Sequence, residues 1–255
     1  MGWGDVLMAM GEARAIYLKS NVKSAMPSSR YKYGAIYAEC PYVIRENEVV
    51  SNENINKLEE GVDIAPHVDW IKSTAKKLVF KKYKPKPAEI FFDNALDSIA
   101  TDMANELGDF IFIDPHVKQD FSSNNRDWGW ENYIELVRNS DAKFVQPNYG
   151  KSVLPGVISI ETPHFLHACA LLRGAKTAVF SEGGLMHAAA ALSVSSVVIF
   201  GGFISPENTG YDLHYNFFIG KEGCGNRLPC KHCRAAMKKI AVKKVHKKLM
   251  NIYRS

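Results

Sequence analysis

The sequence predicts an α/β fold with a parallel, doubly wound sheet. From residue 110 to residue 200, short apolar segments alternate with segments of helical character, which is the pattern of successive βαβ units. One unit is especially clear: an apolar strand at 176–180, a Gly183-Gly184 turn, an Ala-rich helix at 185–193 and a second strand at 196–200. These observations place the centre of the fold in the second half of the chain.

The composition is that of an ordinary globular protein. Its 255 residues are enough for one large domain or two small ones, and 46% of them are hydrophobic against 23% charged. No apolar run reaches the length of a membrane span, and the opening residues lack the pattern of a secretory signal, so we expect a cytoplasmic protein. Five cysteines in a chain of this length do not indicate a disulfide framework.

The first predicted element is a helix that follows a glycine turn. The turn is Gly2-Trp3-Gly4-Asp5, and the helix runs to about residue 17. Asp5 falls at the helix start, where an acidic residue is favoured both as a cap and by the helix dipole. A purely structural role is therefore one interpretation of Asp5.

Residues 20 to 107 carry weaker signals. Short strands are expected at 33–37 and 42–44, and the polar stretch 47–61 is expected to be a loop. Pro85 and Pro87, set among lysines, indicate an exposed connector. A helix at 93–107, with apolar residues at helical spacing, precedes a domain boundary that we place near residue 107.

The second half of the chain opens with a buried strand at 110–113. A polar loop at 119–126 follows, and then a helix that ends near residue 138. Further strands are expected at 144–146 and 157–160, with a helix at 163–173.

The Gly183-Gly184 turn is a candidate phosphate site. Glycines let backbone N–H groups approach a ligand closely, and here they stand at the positive end of a helix dipole. Ligand sites of open α/β sheets also fall at the carboxyl ends of strands. A tight connection without a ligand is the alternative that spacing alone leaves open.

The residues around this turn resemble the donor-binding signature of family-nine glycosyltransferases, the heptosyltransferase-like enzymes of bacterial lipopolysaccharide synthesis. The resemblance rests on the runs 182–191 and 197–202, on Ser205-Pro206 and on Thr209-Gly210. Glu182 stands where these enzymes usually have Asp. The resemblance implies that the donor is bound by Glu182, Gly183, Gly184, His187, Gly201, Gly202 and Ser205.

The same resemblance implies roles for three residues outside this block. Asp5 matches the Asp of a Gly-x-Gly-Asp-like element that is the proposed catalytic base, although the family normally has a strand before that element. Arg126, just before Trp128, matches a basic residue that contacts the donor phosphates, and Lys118 is a second candidate. A cation there would stabilise a departing diphosphate. The alternative for Arg126 is a surface residue in a mobile loop, and for His187 a core histidine.

Three cysteines cluster near the end of the chain. Cys224, Cys230 and Cys233, with His232 or His214, offer enough ligands for a four-coordinate structural zinc site. The spacing from Cys224 is unusual for a zinc ribbon. Reduced cysteines that pack a loop are the alternative.

The chain ends in a predicted basic amphipathic helix at 231–255. Its apolar residues share one face, and lysines between 238 and 248 lie mostly opposite; a second lysine run lies between 76 and 86. Basic faces suit an anionic partner such as a phosphorylated glycan, a membrane surface or a nucleic acid. Solvated lysine faces without a partner are the alternative.

Taken with the resemblance, these features predict two Rossmann-like domains in the GT-B arrangement with a reduced N-terminal domain. We expect an acceptor-side domain at 1–107, a nucleotide-sugar donor domain at 108–230 and the final helix. The implied activity is inverting transfer from a nucleoside-diphosphate sugar to a hydroxyl of a lipopolysaccharide-type or other anionic glycan, without a catalytic metal. The alternatives are a DNA glycosyltransferase that acts on a hydroxymethylated base of phage DNA and a non-catalytic nucleotide- or glycan-binding scaffold.

Overall fold

The computed structural model describes residues 2–44, 55–59, 61–122 and 124–255. In these residues the chain forms a three-stranded sheet and a six-stranded sheet, both parallel, with helices packed against them. The predicted mixed α/β class is therefore confirmed. The first elements are α1 (Trp3–Ser20), β1 (Lys23–Ala25), a 3-10 helix (Ser28–Ile36), β2 (Val43–Ile44), β3 (Ile55–Lys57) and α2 (Asn94–Leu107).

The remaining elements belong to or cover the larger sheet. They are β4 (Ile111–Asp114), α3 (Gln119–Ser122), α4 (Trp130–Arg138), β5 (Phe144–Asn148), β6 (Ile158–Glu161), α5 (Phe165–Arg173), β7 (Thr177–Ser181), α6 (Gly184–Ala191), β8 (Ser196–Gly201), α7 (Pro206–Thr209), β9 (Tyr215–Phe218), α8 (Lys231–Lys238) and α9 (Val242–Arg254). None of the helices in the described ranges combines the length and the apolarity that a membrane crossing needs.

The larger sheet has the strand order β6-β5-β4-β7-β8-β9. Strands β4, β7 and β8 are buried along their whole length, which is typical of parallel strands covered by helices on both faces. The order reverses between β4 and β7, so that the topological switch point lies at their carboxyl ends. In open α/β sheets this is where a crevice for ligands forms.

The unit around the glycine pair has the predicted architecture. Strand β7 leads through Gly183 into α6, and α6 returns to β8, which pairs with β7 in parallel. The Ala-rich sequence lets α6 pack closely, because it presents small side chains on every face. Met186, Ala188 and Ala189 are fully buried there.

The N-terminal helix joins the two sheets. Helix α1 packs against both β1 and α6. Its apolar residues Val6, Leu7 and Met10 belong to the same buried cluster as Phe112 and Val198 of the larger sheet. The two halves therefore share one continuous apolar core.

The predicted strand at 33–37 is wrong, because Ser28–Ile36 forms a 3-10 helix. Its first turn is set by Pro27, whose carbonyl accepts a hydrogen bond from the Arg30 amide. Part of the predicted loop at 47–61 is also wrong, since β3 pairs with β1 through residues 55–57. The polar Asn56 fits a strand because its amide donates to the Ser24 hydroxyl. Residues 47–54 and 60 of that predicted loop lie outside the described residues.

The connector around the two prolines is less exposed than predicted. Pro85, Ala88 and Ile90 are buried, and only Pro87 of the two prolines is exposed. The connector runs so close to α1 that a Cβ at Gly11 would lie 2.0 Å from the Lys86 carbonyl oxygen. Downstream, the predicted loop at 119–126 begins with the short helix α3.

The C-terminal segment forms two helices, where one was predicted. Helix α8 ends at Lys238 and α9 begins at Val242. At the break Ala241 is extended, and the Ile240 carbonyl accepts a hydrogen bond from the buried Trp128 indole N–H at 2.9 Å. Helix α9 packs on α4, β7 and β8. The domain limits near residues 107 and 230 stay predictions, although α2 packs on α5 of the larger unit.

Candidate functional site

A cavity of about 580 Å³ lies at the carboxyl ends of β4, β5 and β7. One wall is formed by the ends of these strands and the start of α6. The other is formed by N-terminal residues, including the start of α1 and the segment 65–70. The cavity therefore occupies the switch point of the larger sheet and is closed by the N-terminal half of the chain.

Two helix N-termini meet at this cavity because two glycines allow close approach. A Cβ at Gly4 would lie 2.7 Å from the His187 ring, and a Cβ at Gly184 would lie 3.3 Å from the Trp3 Cβ. Without side chains at these positions, the first turns of α1 and α6 come into contact. Both helix dipoles then present their positive ends to the same space, which favours an anionic ligand.

Asp5 lies in the first turn of α1 and lines the cavity. It is the third helical residue, while Gly2 caps the helix and donates its backbone N–H to Asp5 Oδ2 at 2.6 Å. Burial raises the pKa of this carboxyl, and the Gly2 amide, the chain's amino terminus and two arginines act against that rise. A carboxyl group with a raised pKa is a better proton acceptor than an ordinary aspartate.

Arg126 and Glu182 form a buried ion pair in the cavity wall. The Arg126 Nη1 atom lies 3.0 Å from Glu182 Oε2, and the two side chains are only 11% and 8% exposed. Arg126 also donates to the Ser122 hydroxyl and to the Lys118 and Glu182 carbonyls. The alternative of a surface arginine is therefore wrong, because this guanidinium is buried and held from several sides.

His187 lies one turn into α6 and lines the cavity beside Gly4. Its Nδ1 atom is 2.8 Å from the Tyr211 hydroxyl. Burial, with smaller contributions from the charges of His67 and His214, lowers its pKa to about 3. The side chain is therefore neutral at physiological pH, and it can act through hydrogen bonds but not as a cation.

The predicted donor-binding residues do not all come together. Lys118, Gly183 and Gly184 line the cavity with the residues already described. Gly201 and Gly202 instead pack under α8, against Met237 and against Ala236 and His232. The Ser205 hydroxyl caps the short helix α7 by accepting from the Glu207 amide. The role of these last three in donor binding stays a prediction.

The sequence analysis missed a carboxylate next to the β5 loop. Asp114, at the end of β4, is buried and accepts a hydrogen bond from the Tyr149 hydroxyl at 2.5 Å. Both residues line the cavity. Burial raises the pKa of Asp114. The loop 147–151 contains no acidic residue, but the neighbouring strand β4 supplies Asp114. Its position could have been indicated by the rule that ligands of open α/β sheets bind at the carboxyl ends of strands.

His67 and Thr209 are two further cavity residues: no motif indicated His67, and Thr209 belongs to the matched pair Thr209-Gly210 without an assigned role. They are 7% and 1% exposed. Among the described residues, neither the His67 Nδ1 atom nor the Thr209 hydroxyl has a hydrogen-bond partner. Buried polar atoms of this kind are normally satisfied, so they mark places where a ligand or water would bind.

The cysteine cluster lies behind the cavity. The ligand atoms of Cys224, Cys230, His232 and Cys233 all lie within 4.8 Å of one another, so that a Cys₃His metal site is present in outline. His214 is elsewhere, with its ring nitrogen at the Met186 carbonyl. Of the two predicted alternatives for the fourth ligand, the structure brings His232 to the cluster.

The fold and the cavity define a class of protein. A doubly wound parallel sheet with a ligand-sized cavity at its switch point, closed by a second α/β unit, is typical of proteins that bind nucleotides or related anions. At the level of sequence, neither a protein family nor a curated protein matches the chain significantly.

Solved structures show what the chain resembles. A family 9 glycosyltransferase from Veillonella parvula matches with a TM-score of 0.64 and 10% identity over 99% of this chain and 94% of its own. The E. coli heptosyltransferase WaaC, solved with ADP, matches at 0.60 and 13% over 99% and 97%. The iron-containing dodecameric glycosyltransferase TibC from enterotoxigenic E. coli matches at 0.59 and 12% over 100% and 74%. The predicted resemblance to heptosyltransferase-like enzymes is thus confirmed at the level of the fold.

Proposed function

We propose that the chain is a glycosyltransferase of the GT-B arrangement, which transfers a sugar from a nucleoside-diphosphate donor to an acceptor hydroxyl in this cavity. The observation that carries the proposal is the meeting of Asp5, Arg126 and Glu182 with two helix N-termini in one cavity. It supplies a proton acceptor, a fixed cation and an anion site together. The shared fold with WaaC, which was solved with ADP, supports a nucleotide donor.

In the proposed reaction, the donor diphosphate lies on the N-terminus of α6. Backbone N–H groups after Gly183 bind phosphate oxygens, and Arg126 and Lys118 stabilise the charge that develops as the diphosphate leaves. Glu182 holds the Arg126 guanidinium at 3.0 Å and orients it. Asp114 and Tyr149, on the β4 and β5 side, are then positioned to recognise the nucleoside.

Asp5 is the proposed catalytic base. It belongs to α1, so it approaches the cavity from the N-terminal half while the diphosphate is held by the larger sheet. The acceptor oxygen, which gives its proton to Asp5, forms a bond to the anomeric carbon on the face opposite the diphosphate, and the bond between that carbon and the diphosphate breaks, so the configuration is inverted. His187 is neutral and orients donor atoms, and no step requires a metal ion.

An anionic glycan of the lipopolysaccharide type is the proposed acceptor. In the lysine run between 76 and 86, three lysines form ion pairs, Lys82 with Glu207, Lys84 with Asp212 and Lys86 with Glu12, so this run offers less unpaired charge to any anionic acceptor. We also propose a structural zinc ion at the cysteine cluster, outside the reaction itself.

A thermal-shift screen with ADP, UDP and GDP tests the donor site. Binding to the native state raises the melting temperature, and Arg126→Met should weaken binding of the preferred nucleotide and so reduce its shift. Arg173→Met is the matched control, since Arg173 pairs with Asp97 on an exposed face. A normal shift in Arg126→Met, or no shift of the wild type with any nucleotide, would contradict the proposed donor site.

An assay of sugar transfer tests the role of Asp5 as the catalytic base. With the preferred nucleotide sugar, Asp5→Asn should retain donor binding and lose transfer, because only the proton acceptor is removed. Retained transfer would contradict the role of Asp5. Binding of nucleotide without transfer to any acceptor would favour the scaffold alternative, and an added, salt-sensitive shift with hydroxymethylated duplex DNA would favour the DNA acceptor.

A further inference from the structure

The loop of residues 224–230, here called the cysteine loop, contacts three separate parts of the fold. Its Cys224 and Gly225 amides donate to the Gly202 and Phe203 carbonyls that follow β8. Its Gly225 carbonyl accepts from the Leu78 amide in the N-terminal half. The loop therefore lies where the larger sheet, the N-terminal half and the polypeptide leading to α8 meet.

The third contact reaches the residue next to Arg126. Asn125 is buried, and its side-chain amide donates to the Asn226 and Leu228 carbonyls at 2.6 and 2.7 Å. Its side-chain oxygen accepts from the Cys230 amide at 2.9 Å. All three bonds join Asn125 to the cysteine loop, so the position of the Asn125 backbone depends on the conformation of that loop.

The four ligand residues lie close enough together to bind one metal ion. Cys230 caps α8, and His232 and Cys233 lie in its first turn, while Cys224 comes from the start of the loop. Cys224 Sγ lies 3.9 Å from Cys230 Sγ and 3.0 Å from Cys233 Sγ. Zinc–sulfur bonds of about 2.3 Å at tetrahedral angles hold two sulfurs about 3.8 Å apart. The first distance matches. The second is too long for a disulfide and too short for two zinc-bound sulfurs, so one of these two sulfurs must shift by about 1 Å when the ion binds.

We infer that one zinc ion, bound by Cys224, Cys230, His232 and Cys233, fixes the cysteine loop and thereby positions Arg126 through Asn125. Three thiolates and an imidazole are a donor set that zinc prefers. Over 224–230 the loop has one isolated bridge, between Asn226 and Lys77, and otherwise no helix or strand, so without the ion its conformation depends on that bridge and on its hydrogen bonds to neighbouring segments. Only the effect on nucleotide binding rests on the proposed function; the metal site and the positioning do not.

Metal analysis tests the site. Protein purified without chelator should contain one zinc per chain by elemental mass spectrometry, and Cys230→Ser and Cys233→Ser should lose it. Cys169→Ser is the matched control, because Cys169 is a buried free cysteine in α5. Absence of metal, iron in place of zinc, unchanged zinc in Cys230→Ser or a Cys224–Cys233 disulfide by intact mass would each overturn the assignment. Should the serine variants fail to fold, stripping the wild type with a chelator and restoring zinc gives the same comparison.

Hydrogen exchange tests the positioning. Removal of zinc should accelerate amide exchange in peptides that cover 122–128 by about fivefold or more, while β6, which is remote from the cluster, stays unchanged. Asn125→Ala should accelerate the same peptides and still retain zinc. Neighbouring Asn124→Ala, at an exposed position, is the control. Loss of zinc without a change in the 122–128 peptides would overturn the positioning role.

The link to the proposed function is tested by ADP affinity. If zinc and Asn125 act through Arg126, Asn125→Ala should weaken ADP binding about fivefold in the wild type and have no further effect in Arg126→Met. Equal losses in both backgrounds would show a general structural defect and overturn the link. Failure of the wild type to bind ADP would count against the proposed donor, while metal analysis and exchange would still decide the zinc site.

Discussion

His187 gives a quantitative test of how completely the cavity floor excludes water. Its side chain is 3% exposed, and burial lowers its pKa to about 3 from an ordinary value of 6.5. Within the described residues, the ring makes its polar contact with the Tyr211 hydroxyl, at Nδ1. The native state therefore requires this imidazole to be neutral over the whole range between those two values.

The sign and size of the effect follow from linkage. Between pH 6.5 and pH 3 the unfolded chain binds a proton on this histidine that the folded chain excludes. Above pH 6.5 the histidine is neutral in both states and does not lower the free energy of unfolding. Below pH 6.5 the free energy of unfolding falls, because protonation favours the unfolded chain. The loss approaches about 1.4 kcal/mol per pH unit, so that lowering the pH from 7 to 5 costs about 2 kcal/mol.

Urea unfolding at pH 7, 6 and 5 and constant ionic strength measures this loss. His187→Gln cannot titrate, so its free energy of unfolding should fall by about 2 kcal/mol less than the wild type over this range. Asp5 and Asp114 contribute in the opposite direction, because their raised pKa values favour the folded state at low pH. These contributions are removed when the pH dependence of His187→Gln is subtracted from that of the wild type. Tyr211→Phe keeps the buried imidazole and should parallel the wild type. Equal pH dependence in wild type and His187→Gln would refute the reasoning.

Three further predictions concern the packing around the site. Arg126→Met should lower the free energy of unfolding by about 3–5 kcal/mol because it leaves the Glu182 carboxylate buried without its cation, and adding Glu182→Leu should restore most of that loss in urea titrations. Trp128→Phe should cost about 1–2 kcal/mol by the same assay, since its indole N–H donates to a buried backbone carbonyl; no change would contradict this role. Gly4→Ala should cost about 1–3 kcal/mol and weaken ADP binding, because its methyl group would lie 2.7 Å from the His187 ring; a neutral effect would show that α1 and α6 can separate freely.

The βαβ architecture could be predicted because its signals are local. In the unit from β7 to β8 both strands are mainly apolar, the break before α6 carries Gly183, and α6 is Ala-rich, so short-range propensity and tertiary structure agree. The three-stranded sheet could not be predicted as a whole, because it depends on contacts between residues that are distant in sequence. Strand β3 has only three residues and a polar centre, and it exists because Asn56 finds Ser24 on β1, which is more than thirty residues away in sequence.

The residues of the site show the same difference between local signals, which can be predicted, and long-range contacts, which cannot. Glu182, Gly183, Gly184 and His187 follow one another in sequence, so a motif could indicate them. Asp114 and His67 reach the cavity from separate segments, and no local pattern marks a residue that becomes functional only through its neighbours. The Arg126–Glu182 ion pair joins residues 56 positions apart. Sequence reasoning indicated each partner and assigned both to the donor, but it could not show that they bind each other.

That ion pair explains how a guanidinium can remain buried in the cavity wall before the proposed diphosphate binds. A guanidinium buried alone would be costly, and Glu182 removes that cost before the donor arrives. The pair is nearly neutral as a unit, so the charge of an incoming diphosphate must be met by other groups: the N-termini of α1 and α6, and Lys118 and Lys151 in the cavity lining. Arg126 then contributes hydrogen-bond donors in fixed positions rather than long-range attraction. This is the contribution that matters most when charge develops on a leaving group, because donors that are already in place need no reorganisation during the reaction.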